Sequence, residues 1–234
     1  MTANEPTADA PTATWRDQAV ARSLDSARAR AENRVQRFLD AAMDLMSESA
    51  SGKEFTVQEV VERSGQSLRS FYQYFGGKQE LLLALFEETV RSTAEHLYER
   101  ISRDDEPLDR LHDFVVEYYR LCRPESRGKT TKKRAPQALA EFAQHLLTAQ
   151  PTEAARAFAP LVSLFEEVLA DAAASGALRA DLNRRRVAGV VLEAIMFNVF
   201  SRTIGGPSTE REQGDPAEEL WDLIFQGMRS NSQT

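Results

Sequence analysis

Apolar residues recur along this chain at intervals of three and four, not two, which predicts helices nearly throughout. Val35, Phe38, Leu39, Ala42, Leu45 and Met46 make one stripe on a 3.6-residue period. Ser49 to Lys53, with Gly52, ends that helix. Val57, Val60 and Val61 supply the buried face of a short helix, and a second short one runs from Leu68 to Phe75. Longer patterns follow: Leu82, Leu85, Phe86, Val90 and Leu97 within 78–102, then Leu108, Leu111, Val115, Tyr118 and Cys122 after Pro107. Leu139, Phe142 and Leu146 mark a helix near Pro136, and another begins after Pro151. Pro160 is read as the start of the next, which buries Leu161, Leu164, Phe165, Val168 and Leu169 and closes at Ser175-Gly176. Residues 187–200 are apolar nearly all round, with Glu193 as the single charge. Such a helix must be covered on more than one side. Gly189 inside it costs about 1 kcal/mol relative to Ala and predicts a close helix crossing. Asp215-Pro216-Ala217-Glu218 opens a last helix with Leu220, Trp221, Ile224, Phe225 and Met228 on its apolar side.

The stretch 56–82 carries the densest local signals. Thr56 and Glu59 form a T-x-x-E capping box. Ser64-Gly65 stops the first short helix, since Gly accepts the left-handed conformation of a helix end. Ser67 caps the second. Three or four residues, Gly included, separate the two helices, which is a helix-turn-helix connection. Phe71 and Phe75, four apart, pack backwards on one face. Arg69, Ser70 and Gln73 project elsewhere, with Leu68 and Tyr72 nearby. Arg pairs with guanine and Gln with adenine in the major groove, while Ser, Tyr and Lys are common phosphate partners. Gly76-Gly77 ends the second helix. The free N–H groups after Gly77, with Lys78 beside them, suit a phosphate.

Residues 30–85 resemble the DNA-binding domain of the TetR family of one-component bacterial regulators. The matching features are the helix 35–48, Thr56-Val57 with Val60, Ser64-Gly65 with Ser67, and Phe71-Tyr72 with Tyr74-Phe75, Lys78 and Leu81-Leu82. Arg69, Gln66 and Gly77 depart from the commoner residues of that pattern. The resemblance implies that Leu68, Arg69, Ser70 and Gln73 face bases and that Tyr72, Tyr74 and Lys78 hold phosphates. Thr56 and Ser67, at the two helix starts, join them as DNA-binding residues. It implies an all-α fold: a disordered or basic arm at 1–27, a helix-turn-helix domain at 28–80, and a ligand-binding and dimerisation domain at 81–234. It implies a homodimer paired through the helices near 187–204 and 217–228. The function implied is that of a repressor, bound to a palindromic operator and released by a small apolar or amphipathic effector. Candidate effector-lining aromatics are Phe86, Tyr98, Phe114, Tyr118, Phe142, Phe165 and Phe197, most of which read first as plain core. A helical interaction module of the same fold, without operator binding, is the alternative.

Composition changes this picture little. The 234 residues carry a net charge of −7, which argues against a nucleic-acid partner until the distribution is considered. Residues 28–78 hold eight basic against seven acidic side chains, so a DNA-binding edge is a local patch on an acidic protein. Arg16, Arg22, Arg28 and Arg30 lie in an Ala/Arg-rich stretch, 15–34, read either as a solvated, partly helical lead-in or as an arm reaching DNA. Residues 1–14, rich in Thr, Ala and Pro, predict disorder. Residues 123–134 hold six basic side chains against one acidic and predict a surface loop or, less simply, a second nucleic-acid patch. Gly128-Lys129-Thr130 is no P-loop, because Arg123 stands where the first Gly is needed. Cys122 is the single cysteine, which excludes an internal disulfide and favours a reducing cytoplasm. No run is long and apolar enough for a membrane span. His96, His112 and His145 sit on separate helices without ligand spacing, so no metal site is expected. Glu87-Glu88 and Glu166-Glu167 are adjacent and splay to different sides of a helix, so neither pair is an acid/base couple. Neither an enzyme nor a cofactor is expected.

Overall fold

The computed structural model describes residues 14–48, 55–123, 135–204 and 214–230. The expectations for 1–13, for the helix end at 49–53 and for the basic segment beyond Arg123 fall outside the described residues. Among those described, the chain is all helical: α1 Trp15–Glu48, α2 Val57–Ser64, α3 Leu68–Tyr74, α4 Lys78–Ile101, α5 Pro107–Cys122, α6 Ala135–Ala149, α7 Pro151–Ala174, α8 Arg184–Ile204 and α9 Pro216–Met228. A single antiparallel bridge, Leu178 with Arg229, joins the turn after α7 to the end of α9. Arg179 N–H donates to the Met228 carbonyl at 3.0 Å and Ser230 N–H to that of Ala177 at 3.0 Å. The far end of α9 is thereby held.

The local signals act where the sequence puts them. Thr56 Oγ1 accepts from Glu59 N–H at 3.2 Å, and a Glu59 carboxylate oxygen accepts from Thr56 N–H at 2.7 Å, which closes the capping box. Gly65 has φ 65°, the left-handed cap that stops α2. Pro107, Pro151 and Pro216 all sit in first turns, where no amide hydrogen is missed. Asp215 caps α9 by accepting from Ala217 N–H at 3.0 Å.

Two elements differ from the sequence expectation. Helix α1 begins at Trp15, twenty residues before its apolar stripe, so the lead-in read as partly helical is helix throughout and continuous with the stripe. Its first half has exposed Val20 and Leu24 in place of a buried face, so Ala- and Arg-rich helix propensity carries it. Pro160 lies inside α7 and does not start it. Ala154, Ala157, Leu161, Leu164 and Phe165 are buried on both sides of it while Pro160 is exposed. The carbonyl that loses its donor therefore faces water, and the continuous buried stripe outweighs the proline.

Helix α7 packs against α4, α5, α6 and α8, and α5 carries α8 and α9 on its other flanks. One continuous core runs from the α1–α3 unit into this body. Helix α4 links the two. Leu81 and Leu82 close the N-terminal unit, while Leu97 and Ile101, both fully buried, lie in the body. Gly189 does not mark a close crossing within the chain, since a Cβ there would meet nothing within 4 Å.

Candidate nucleic-acid interface

Helix α3 divides cleanly into two faces. Phe71 is fully buried and Phe75 is 5% exposed. Phe38 of α1 meets both rings edge-on, at 5.4 and 6.1 Å between centroids. Edge-to-face aromatic pairs of this kind add about 0.5–1.5 kcal/mol beyond area burial. They fix the roll of a helix too short to be stable alone. That roll leaves Leu68, Arg69, Tyr72 and Gln73 exposed, at relative positions i, i+1, i+4 and i+5. Leu68 is 43% and Tyr72 57% exposed, a large apolar outlay for a solvent-facing helix.

The remaining predicted contacts are placed less simply. Ser70 Oγ is buried and makes no hydrogen bond. The residue is half-buried, next to the fully buried Phe71. Its own N–H donates to Ser67 Oγ at 3.1 Å, the N-cap of α3. The Ser67 hydroxyl proton remains available to a phosphate. Thr56 Oγ1 donates to Glu59 at 2.9 Å, so its single proton is engaged in the cap. Tyr74 is half-buried against the core. Lys78 Nζ sits 4.9 Å from the centre of the Phe55 ring, a cation–π contact that holds the ammonium at the start of α4. Gly77 precedes it in extended backbone, φ 169°. The Glu80 carboxylate accepts from Gly76 N–H at 2.6 Å, so this turn already holds an anionic group of the chain itself.

Neighbouring charges are partly neutralised. Arg63 of α2 holds Glu48 of α1 through two contacts at 2.8 and 2.7 Å. That hydrogen bonding raises the arginine pKa and lowers the glutamate. Arg30, Arg34 and Arg37 are different. With Ala29, Asn33 and Gln66 they line an open groove of about 380 Å³ between α1 and the α2–α3 turn. The spacing 30, 34, 37 places them on one side of a helix; of the three, the sequence expectation names only Arg30, as part of a stretch that is either a solvated lead-in or an arm reaching DNA.

The candidate effector aromatics lie mostly in the core. Phe114 stacks on Phe165 at 4.4 Å with planes 5° apart, and Tyr118 tilts against Phe114 at 6.3 Å. Phe86 meets Phe142 at 6.0 Å and Phe158, absent from the sequence-based candidates, at 5.2 Å. Tyr98 is 56% exposed and joins neither group. Phe197 is half-buried on α8.

Residues 38–85 match the family model of the bacterial regulatory proteins, tetR family. Residues 38–85 thus form a DNA-binding domain of the TetR type. That domain supports DNA-binding transcription regulation, and the described residues are helical throughout their named elements. No curated protein sequence matches the chain. Solved structures do share its fold. The fatty acid degradation regulator FadR from Bacillus halodurans aligns with a TM-score of 0.61 at 16% identity, covering 85% of this chain and 96% of its own. A TetR family transcription regulator from Marinobacter aquaeolei VT8 aligns at 0.58 and 17% identity, over 87% and 100%. FadR from Bacillus subtilis, solved in complex with stearoyl-CoA, aligns at 0.58 and 15% identity, over 82% and 98%. At these identities the likeness is one of fold. It extends the family resemblance from the N-terminal unit to the arrangement of the body.

Proposed function

We propose that the protein is a homodimeric, effector-responsive repressor that binds a palindromic operator through α3. The observation that carries this reading is the roll of α3. Phe71 and Phe75 anchor one side and leave Leu68, Arg69, Tyr72 and Gln73 together on the other. Arg69 and Gln73 have the donor geometry for guanine and adenine edges. Tyr72, Ser67, Tyr74 and Lys78 serve phosphates, and Thr56 contributes through the cap that orients α2. Residues 28–80 act as the reading domain, 81–234 as the sensing and pairing domain. Two copies of α3 must lie about one helical turn of DNA apart, ~34–36 Å, to enter successive major grooves.

The sensing step is proposed for the Phe86, Phe142 and Phe158 cluster, where α4, α6 and α7 meet. An apolar or amphipathic effector that parts these rings acts directly on α4, whose first turn belongs to the reading domain. A coupling of about 1–3 kcal/mol suffices to release DNA. The fold shared with a regulator that binds stearoyl-CoA supports a ligand of this character. Phe114, Tyr118 and Phe165 are close-packed and act as the wall behind that cluster. Phe197 faces the pairing surface.

The decisive experiment is selection from random duplex DNA at moderate salt. An enriched palindrome with half-sites one turn apart is expected, and its absence would refute the reading. Within a selected operator, Gln73→Ala should relax preference at one position. Lys78→Ala should weaken all sequences alike and lower the salt dependence by about one phosphate contact. Equal effects of the two would overturn the assigned roles.

A further inference from the structure

The N-terminal half of α1 adds twenty residues of continuous helix ahead of the stripe that anchors it. Its charges are sorted around the axis. On a 3.6-residue period Arg16, Arg30, Arg34 and Arg37 fall together, while Asp25 and Glu32 fall on the opposite side. Arg28 belongs to the acidic side and is paired there, its Nε 2.7 Å from Glu32. Among the described residues no ion pair involves Arg30, Arg34 or Arg37, and all three are exposed. Three arginines on one face, four and three apart, repel one another, so an unsatisfied cluster of this kind costs stability unless an anion joins it.

Position supplies the rest. Gln66, the residue before the Ser67 cap of α3, closes the groove of about 380 Å³ that the three arginines line. The groove therefore opens beside the N-terminal end of α3, the end that approaches base edges in a helix-turn-helix. A DNA strand flanking the major groove entered by α3 passes this point. The adjoining groove, lined by Arg37, Asp40, Asp44 and Arg63, has mixed charge and marks where the anion-binding surface ends.

We infer that Arg30, Arg34 and Arg37, with Gln66, form a second DNA-backbone site on α1, which binds phosphates flanking the half-site read by α3. Arginine guanidinium groups bind phosphate oxygens bidentately. Except for Gln66, the site lies outside residues 38–85. It lengthens the footprint on each half-site without reading bases, and so raises affinity without changing sequence preference. The inference rests on the proposed DNA reading of α3.

The test measures the salt dependence of operator binding by the full-length protein. In Arg30→Gln/Arg34→Gln, the slope of log K against log[salt] should become shallower by about 2 per protomer, 0.9 for each phosphate lost. The selected sequence should stay the same. Arg28→Gln removes an equal charge from the opposite face of the same turn and should leave the slope unchanged. Far-UV circular dichroism and the melting temperature of each variant establish that α1 still folds. An unchanged slope in a folded double variant overturns the site while leaving the α3 reading intact. An equal loss in Arg28→Gln also overturns it, since general charge would then be responsible. Failure of the wild-type protein to bind any duplex overturns the α3 reading and this site together.

Discussion

At the scale of single residues, two side chains of the body have chemistry set by their surroundings. His112 of α5 is held between two carboxylates. Its Nε2 lies 2.7 Å from Glu218 of α9 and its Nδ1 3.1 Å from Asp113. Trp221 stands edge-on at 5.2 Å, and Arg100 pairs with the other oxygen of Asp113. Burial lowers the imidazole pKa. The hydrogen bonds to Glu218 and Asp113, with their charges, more than offset it, and the net shift is upward from 6.5. A raised folded-state pKa means that the contribution is fully present below the unfolded value and is lost as pH rises through the folded one. The clasp of α9 on α5 should therefore weaken above neutrality. Melting temperatures measured from about pH 6 to 8 should fall more for the wild type than for His112→Gln. Parallel curves would remove His112 from the account. Cys122 is the converse case: burial pushes its thiol up to about 12 against the opposing hydrogen bond with Tyr118. The thiolate is the nucleophile, so iodoacetamide at about pH 8 should label the native chain far more slowly than the chain in urea. Fast native labelling would mean that the α5 end is open.

At the scale of elements, the helix-turn-helix is a set of stops and starts around one aromatic contact. Phe38 is fully buried against Phe71 and Phe75, and this contact fixes the roll of α3. Phe71→Ala should cost about 3–5 kcal/mol in urea denaturation. Gly65→Ala is a sharper test of the turn. A Cβ there meets nothing within 4 Å, so the whole cost is the left-handed backbone at φ 65°, about 1–2 kcal/mol. A neutral Gly65→Ala would show that the turn relaxes without consequence. These elements were readable in the sequence because their signals are local. A capping box, a left-handed glycine and a serine cap each act within four residues. Elements whose state depends on distant packing were not. Nothing in 151–174 reveals that Pro160 faces water. No apolar stripe announces the first half of α1. Ser70 looks like a base reader by type, and its residue type does not reveal that its Oγ is buried in the folded chain.

At the scale of the whole molecule, the body is covered on one side and open on another. Residues 187–200 of α8 are apolar nearly all round, yet Val190 is 60% exposed, and Leu223 on α9 is 73% exposed. Both helices rest on α5, so these side chains belong to the outer layer of the single chain. Gly189 and Gly227 stand beside them along those helices, and a Cβ added at either would meet no atom within 4 Å. Small residues next to exposed branched ones admit a close helix approach, which no described helix of this chain makes. A second copy of the chain supplies that approach in the proposed dimer, and the α3 helices then act as a pair. Val190→Glu/Leu223→Glu should convert the dimer to a monomer in sedimentation velocity with little change in melting temperature, because neither side chain is in the core. Charge placed in an apolar interface core leaves an unpaired, desolvated carboxylate, which strongly disfavours association. The monomer keeps the face of Leu68, Arg69, Tyr72 and Gln73 and the arginine groove of α1. It should thus retain weak, salt-sensitive binding to a half-site while losing preference for the full palindrome. A double variant that still sediments as a dimer would move the pairing surface away from α8 and α9. A monomer that still favours the full palindrome would remove the need for pairing.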